Sequence, residues 1–278
     1  MKRLFKIAFL TFALACQSSD SERFDYNYNK AIIEDYLMAE ALYSDFFRLA
    51  LKAETDTSFL ANDTATIDSA LVIKSGAIYT FNYGTNKKCP DGSIRSGSFR
   101  ITKDAPIYDS LAIAHATFDN LTINSKNILG TLTIKNLNGA NQPQFQVAVS
   151  NGIIQLNDAY NSIVEYSSNL KIKFKKGFST PTFYSDDLFY VTGTSSGKAH
   201  QFDRFTSLIQ DTVAFSNSCR FFRGGLNVLT MPDFEINEAR IEYNAVTSCS
   251  ATVKVVYKGT TPSGDRITSQ PQSINISF

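Results

Sequence analysis

The chain has 278 residues, 43% of them hydrophobic and 19% charged, with a formal net charge of +1. That length suits one large β domain or two small ones, and the near-neutral balance supplies no basic field for nucleic acid. Four cysteines without a C-x-x-C spacing make a poor zinc site, and no pattern calls for another metal or a cofactor.

Lys2, Arg3 and Lys6 precede an apolar run from Ile7 to Leu14, followed by Ala15 and Cys16. A basic start, a short apolar core and a small residue before the processing point read as a secretory signal peptide over residues 1–15, too short to span a bilayer. Ala13-Leu14-Ala15-Cys16 resembles a bacterial lipobox. The resemblance implies that Cys16 is acylated, becomes the mature N-terminus and anchors the chain to a membrane outside the cytoplasm. Losing the 15 leader residues of 278 would leave 263, and because Lys2, Arg3 and Lys6 go with them the formal charge would fall from +1 to −2. Gln17, in place of the aspartate that marks inner-membrane retention, favours the outer membrane. The Ser-rich acidic stretch Ser18–Glu22 reads either as a solvated tether, taken here as residues 16–28, or as a surface-export signal like that of some Bacteroidota lipoproteins.

From residue 29 to about 52, apolar residues recur in steps of four and three: Ile32, Tyr36, Ala39, Tyr43, Phe46 and Ala50, widened by Leu42 and Leu49. The pattern predicts an amphipathic helix, with Glu34, Asp35, Arg48 and Lys52 largely outside the stripe and the stripe docked on the protein's own sheet. Past Asp63 the period changes to two. Phe145, Val147 and Val149 alternate with polar residues, as do Leu170, Ile172 and Phe174, and Ala251, Val253, Val255 and Tyr257. Turn residues punctuate these runs at Asp91-Gly92, Asn138-Gly139, Asn151-Gly152, Gly193–Gly197, Gly224-Gly225 and Pro262–Gly264. Asn151-Gly152 reads as the most specific hairpin turn, between Phe145–Val149 and Ile153–Leu156. Many short strands without intervening helices predict a mainly β chain: a large antiparallel sheet, sandwich or half-open barrel, with one N-terminal helix in a single domain over residues 29–278.

With Cys16 assigned to lipid, Cys89, Cys219 and Cys249 form an odd set in an oxidising compartment. Cys219 and Cys249, both in the C-terminal third, are the expected pair, with Cys89 free; a loop of that size gives roughly 3 to 4 kcal/mol in the chain-entropy model. Gly193-Thr194-Ser195-Ser196-Gly197 matches G-x-S-x-G but lacks a following helix and a His or acid at useful spacing, so it reads as a hairpin loop rather than a nucleophile elbow. His115 falls on a strand face, His200 has no sequence neighbour to work with, and Asp186-Asp187 has no EF-hand context. No catalytic residue is assigned. Lys171, Lys173, Lys175 and Lys176 read either as a site for an acidic glycan or lipid head group or as a solvated or edge-guarding face.

Asp63-Thr64-Ala65, Asp68-Ser69-Ala70, Asp109-Ser110-Leu111 and Asp211-Thr212-Val213 resemble the acceptor motif for O-glycosylation of exported Bacteroidota proteins, which would place sugars on Thr64, Ser69, Ser110 and Thr212. The blocks Cys89–Gly97, Ser185–Thr194 and Cys219–Phe221 resemble those of uncharacterised β-rich lipoproteins of Bacteroidota. That likeness implies an outer-membrane address, periplasmic or surface side, and no established activity. The expected function is a non-enzymatic binding or structural module, anchored by lipid on Cys16, with an unknown protein or apolar ligand as partner. The alternative is a carrier of lipid or another apolar ligand in a half-open barrel. An uncovered apolar concave face would mark the carrier; a filled one would mark the module.

Overall fold

The computed structural model describes residues 27–138, 143–180, 186–260 and 263–277. The signal peptide, Cys16, nearly all of the tether, Gly139, Pro262 and Phe278 lie outside the described residues. Among those described there is one α-helix, and seventeen strands form a single antiparallel sheet that does not close on itself. The chain is thus mainly β with an N-terminal helix, and its strands belong to one sheet rather than to two stacked layers.

Helix α1 (Asn27–Thr55) extends a few residues past the predicted span at each end. It stops where Thr55 returns its hydroxyl to the Leu51 carbonyl and Asp56 caps a following 3-10 turn by accepting from the Ser58 amide. The strands then run as a meander: β1 (Thr64–Ile67), β2 (Ala70–Ser75), β3 (Ile78–Lys88), β4 (Ile94–Lys103), β5 (Ile113–Ile123), β6 (Lys126–Asn136), β7 (Gln144–Gln155), β8 (Ile163–Lys176) and β9 (Leu188–Lys198). Beyond β9 they break in two. β10 (Arg204–Asp211) and β11 (Val213–Ser216) both pair with β9, and β12 (Cys219–Arg223) and β13 (Leu226–Thr230) pair with β11 and β10 in turn. β14 (Glu238–Tyr243) and β15 (Thr252–Thr260) follow, and β16 (Arg266–Thr268) and β17 (Gln272–Asn275) share the far side of β15.

The sheet wraps the helix. Phe46 packs against Phe99 of β4 and Phe118 of β5, with ring centroids 5.1 and 4.6 Å away. Phe47 meets Phe145, Phe189 and Phe215 of β7, β9 and β11, and Tyr36 meets Phe205 of β10. Twenty-one of the 29 helical residues are buried, including Asp35, Glu40, Asp45 and Arg48. The predicted wet face therefore has no water to face over most of its length.

Asn151-Gly152 corrects the hairpin expectation. Both residues lie inside β7, which stays paired with β6 and β8 on either side of them. Asn151 takes a positive φ of 51°, which Asn-Gly supplies equally well to a turn or to a bulge, and the ladder shifts register there. Similar shifts occur at Gly97 in β4, around Asn120 in β5 and at Gly130 in β6. A Cβ on Gly97 would lie 2.1 Å from the Asn120 carbonyl oxygen, and one on Gly130 2.6 Å from that of Asn151. These irregularities line up across four adjacent strands, and because a bulge bends its strand, the row curves the sheet. Tyr43 of the helix donates to the Leu129 carbonyl at this row, 2.7 Å away.

Gly193–Gly197 is corrected in the same way. It lies within β9, and the turn falls at Ala199–Asp203. The lysine-bearing strand β8 is paired along its length with β7 and β9, so it is a central strand with no edge to guard.

Because Phe46 is fully buried, Phe46→Ala should cost about 3 to 5 kcal/mol, a large share of a typical domain's stability. Urea unfolding monitored by tyrosine fluorescence measures it; a loss below about 1 kcal/mol would mean that the helix is not part of the core.

Candidate functional site

The densest polar chemistry lies where α1, the β1–β2 turn, the β3–β4 turn and β12 converge. Asp45, Arg48 and Lys52 project from one side of the helix, spaced by three and four residues. Arg48 bonds Asp45 at 2.7 Å and also pairs with Asp68, which Lys52 holds as well. Asp45 reaches Arg95 of β4 at 2.8 Å, and Arg95 reaches Asp91 at 2.7 Å. Asp91 in turn accepts from Arg220 of β12 at 2.6 Å. Cation and anion alternate along the whole series. Arg95 is only 1% exposed, and Tyr83 and Ser93 complete its hydrogen bonds.

Burial pushes the Asp45 carboxyl upward, but Arg48 and Arg95 outweigh it and hold it well below the usual carboxylate range. Asp68 is also lowered, Arg48 and Lys52 overcoming its burial, and so is Asp91, chiefly through Arg95. Beside the series lies a cavity of about 480 Å³ lined by Arg48, Lys52, Asp68, Asp91 and Arg220 together with the bridge between Cys219 and Cys249, whose Cα atoms are 5.6 Å apart. Cys89 is a buried free thiol, pushed up chiefly by desolvation and so a poor nucleophile. The carboxylates are engaged by the guanidinium groups of Arg48, Arg95 and Arg220 and by the Lys52 ammonium, an arrangement that clasps the elements together.

A second buried network sits further along the helix. Glu40 accepts from Tyr36 and, at 2.6 Å, from Tyr243 of β14, while Asn227 and Ser207 donate to the Tyr36 hydroxyl. Burial lifts the Glu40 carboxyl from 4.5 to about 7 against the two tyrosine hydrogen bonds. Nothing in the spacing of residues 36, 40, 207, 227 and 243 reveals this set.

The residues weighed from sequence fall apart in space. Ser195 is buried on β9, in register with Ser168 of β8 and Ser207 of β10. His200 lies in the β9–β10 turn, its backbone N–H and Nδ1 at 2.8 and 2.6 Å from Asp35 Oδ2. That helix aspartate, 165 residues away, is the partner His200 lacks in sequence. His115 sits on the outer face of β5 beside Thr133, at 3.1 Å. Asp187 bonds Asn217 at 2.7 Å and is raised to about 7 by burial and by Asp186. Among the described residues no three metal-ligating side chains converge. Thr64, Ser110 and Thr212 are exposed, whereas Ser69 is half-buried in the β1–β2 turn, where its neighbour Asp68 is engaged by Arg48 and Lys52.

No protein-family model, no curated protein and no solved structure matches the chain.

Arg95→Ala would leave Asp45 buried with half its counter-charge, and should cost about 3 to 5 kcal/mol in denaturant unfolding. A loss near zero would remove the clasp from the fold's stability.

The pH dependence has two opposed parts. Asp45, Asp68 and Asp91 are depressed on folding, so their contribution is present above the ordinary carboxylate range and is lost as pH falls through it. Glu40 and Asp187 are each raised to about 7, so the fold holds extra protons between the ordinary carboxylate range and about 7 and stability declines as pH rises through that window. Thermal midpoints should therefore fall from about pH 5 to about pH 8, and Glu40→Gln should make that fall shallower. An unchanged slope in the variant would assign the pH dependence elsewhere.

Proposed function

We propose that this chain is an exported lipoprotein, held on the outer membrane by lipid on Cys16, whose folded part is a non-enzymatic binding or structural module. The address rests on the basic start, the short apolar run and Ala13-Leu14-Ala15-Cys16, and on the likeness to β-rich lipoproteins of Bacteroidota. Ten residues, Gln17–Tyr26, separate that cysteine from the start of α1, a reach of about 33 to 36 Å when fully extended.

The observation that carries the module reading is the filled interior. A carrier of apolar ligands needs uncovered apolar surface on its concave face. Here Ile32, Ile33, Leu37, Phe46, Phe47 and Leu49 of the helix occupy that space and are themselves inaccessible. Four cavities, at the clasp, at strand ends and in turns, each have charged or polar side chains in their lining, and the one between the β7–β8 and β9–β10 turns adds the exposed Tyr160 and Phe202.

Two measurements test the proposal. Cys16→Ala protein should appear in the soluble fraction or remain unprocessed, while the wild-type chain should partition with the membrane and carry acyl mass on Cys16; unmodified Cys16 in the membrane fraction would refute the anchor. Purified protein should give no saturable fluorescence with N-phenyl-1-naphthylamine. Saturable binding that a fatty acid displaces would establish the carrier instead.

A further inference from the structure

Strand β8 presents Lys171, Lys173 and Lys175 outward, all exposed, while Leu170 and Ile172 point to the core. Outward residues two apart are about 7 Å apart, so the three span about 14 Å. Lys135 of β6 lies in register with Gln146 of β7, which lies in register with Lys171. It sets a fourth cation two strands over, about 10 Å to the side. Lys176 ends the strand.

The surroundings of these lysines are unusual. A surface lysine row in a sheet ordinarily faces acids across the strands or guards an open edge. Neither holds here. The outward registers beside Lys171 and Lys173 are Gln146 and Gln144 on β7 and Thr192 and Tyr190 on β9, with no carboxylate among them. Among the described residues none of Lys135, Lys171, Lys173, Lys175 and Lys176 makes an ion pair, although the chain has 26 acidic residues and other lysines use them. Between the lysines stand neutral hydrogen-bonding groups. Gln146 donates to Asn169 at 2.9 Å, and the half-exposed Tyr190 ring lies 5.4 Å from the Lys175 ammonium.

We infer that this face binds an acidic polysaccharide. Unpaired ammonium groups at strand spacing meet carboxylates or sulfates repeated along a chain, and amide, hydroxyl and phenol groups between them meet sugar hydroxyls. The face is the outside of a sheet, with a recess of about 380 Å³ at the strand end beside Lys173, Lys175 and Lys176, and ammonium groups spread over about 14 Å suit an extended polymer rather than a small molecule. Among the described residues at these registers Tyr190 is the only exposed large apolar side chain, so they hold no apolar cluster to enter a bilayer and no row of rings on which bases could stack. The assignment gives the proposed module a ligand class, rests on that reading only in taking the fold as a binding module, and does not involve the anchor.

The test is titration of the purified full chain with polygalacturonate, with neutral dextran of equal length and with phosphatidylglycerol vesicles in parallel. Polygalacturonate should bind at about 50 mM NaCl and weaken steeply toward about 300 mM, as unpaired surface cations require. K171Q/K173Q/K175Q should weaken that binding about tenfold or more with an unchanged thermal midpoint, whereas K74Q/K87Q/K88Q, which removes the same charge from exposed or half-exposed positions on β2 and β3, should stay within about twofold. Equal weakening by both variants, no binding by the wild-type chain, or preference for the vesicles would each overturn the assignment. Polymer binding by purified protein is independent of the membrane-fraction and dye measurements, so failure here is distinguishable from failure there.

Discussion

The fold depends on putting a charged helix inside a sheet with a protein partner for each carboxylate and guanidinium that it buries. Desolvating one guanidinium or carboxylate costs several kcal/mol, and removing one partner of a buried pair leaves that cost uncompensated. Asp45 is answered from the helix by Arg48 and from β4 by Arg95, and Arg95 in turn uses Asp91, Tyr83 and Ser93. Helix, β1–β2 turn, β3–β4 turn and β12 are thereby set in one arrangement. Apolar packing alone would let the helix rotate or slide within its aromatic surroundings. Charges that must meet their partners fix both.

The sheet can supply those partners from many strands because it curves. Its meander connectivity keeps neighbours adjacent in sequence, and the aligned bulges of β4 to β7 bend it along one line. Gly97 and Gly130 are at that line because any side chain there would collide with the facing backbone. Past β9 the strands split, and the Cys219–Cys249 bridge ties the start of β12 to the segment leading into β15. Curvature on one limb and covalent closure on the other bring Arg220 to Asp91 across 129 residues.

Local periodicity made much of this legible. Alternation at Phe145, Val147 and Val149, and at Val253, Val255 and Tyr257, is the alternation seen in β7 and β15, because one side of each strand is buried in the core and the other faces outward. The helix was legible from Ile32 to Ala50 for the same reason. Two things were not. Asn-Gly satisfies a bulge as readily as a turn, and only the neighbouring strands decide which forms. The destination of Asp35, Glu40 and Asp45 depends on His200, Tyr243 and Arg95, and no local rule links residues 50 to 203 positions apart. A polar helix face read from sequence means only that polar groups must be satisfied, by water or by protein.

The central position of the first element bears on how the chain reaches this state. Asn29 bonds the Ile236 carbonyl and Glu40 accepts from Tyr243, so the earliest-made part of the folded region is completed by some of the last. Few of its contacts are local, and topologies of this kind fold slowly because long loops must close before any contact rewards them. Until the chain has been made as far as Tyr243, Glu40 lacks one of its two hydroxyl donors and Asn29 lacks the Ile236 carbonyl. The helix's hydrogen bonds cannot all be completed until nearly the whole chain has been made, so the first-made element is among the last to be finished.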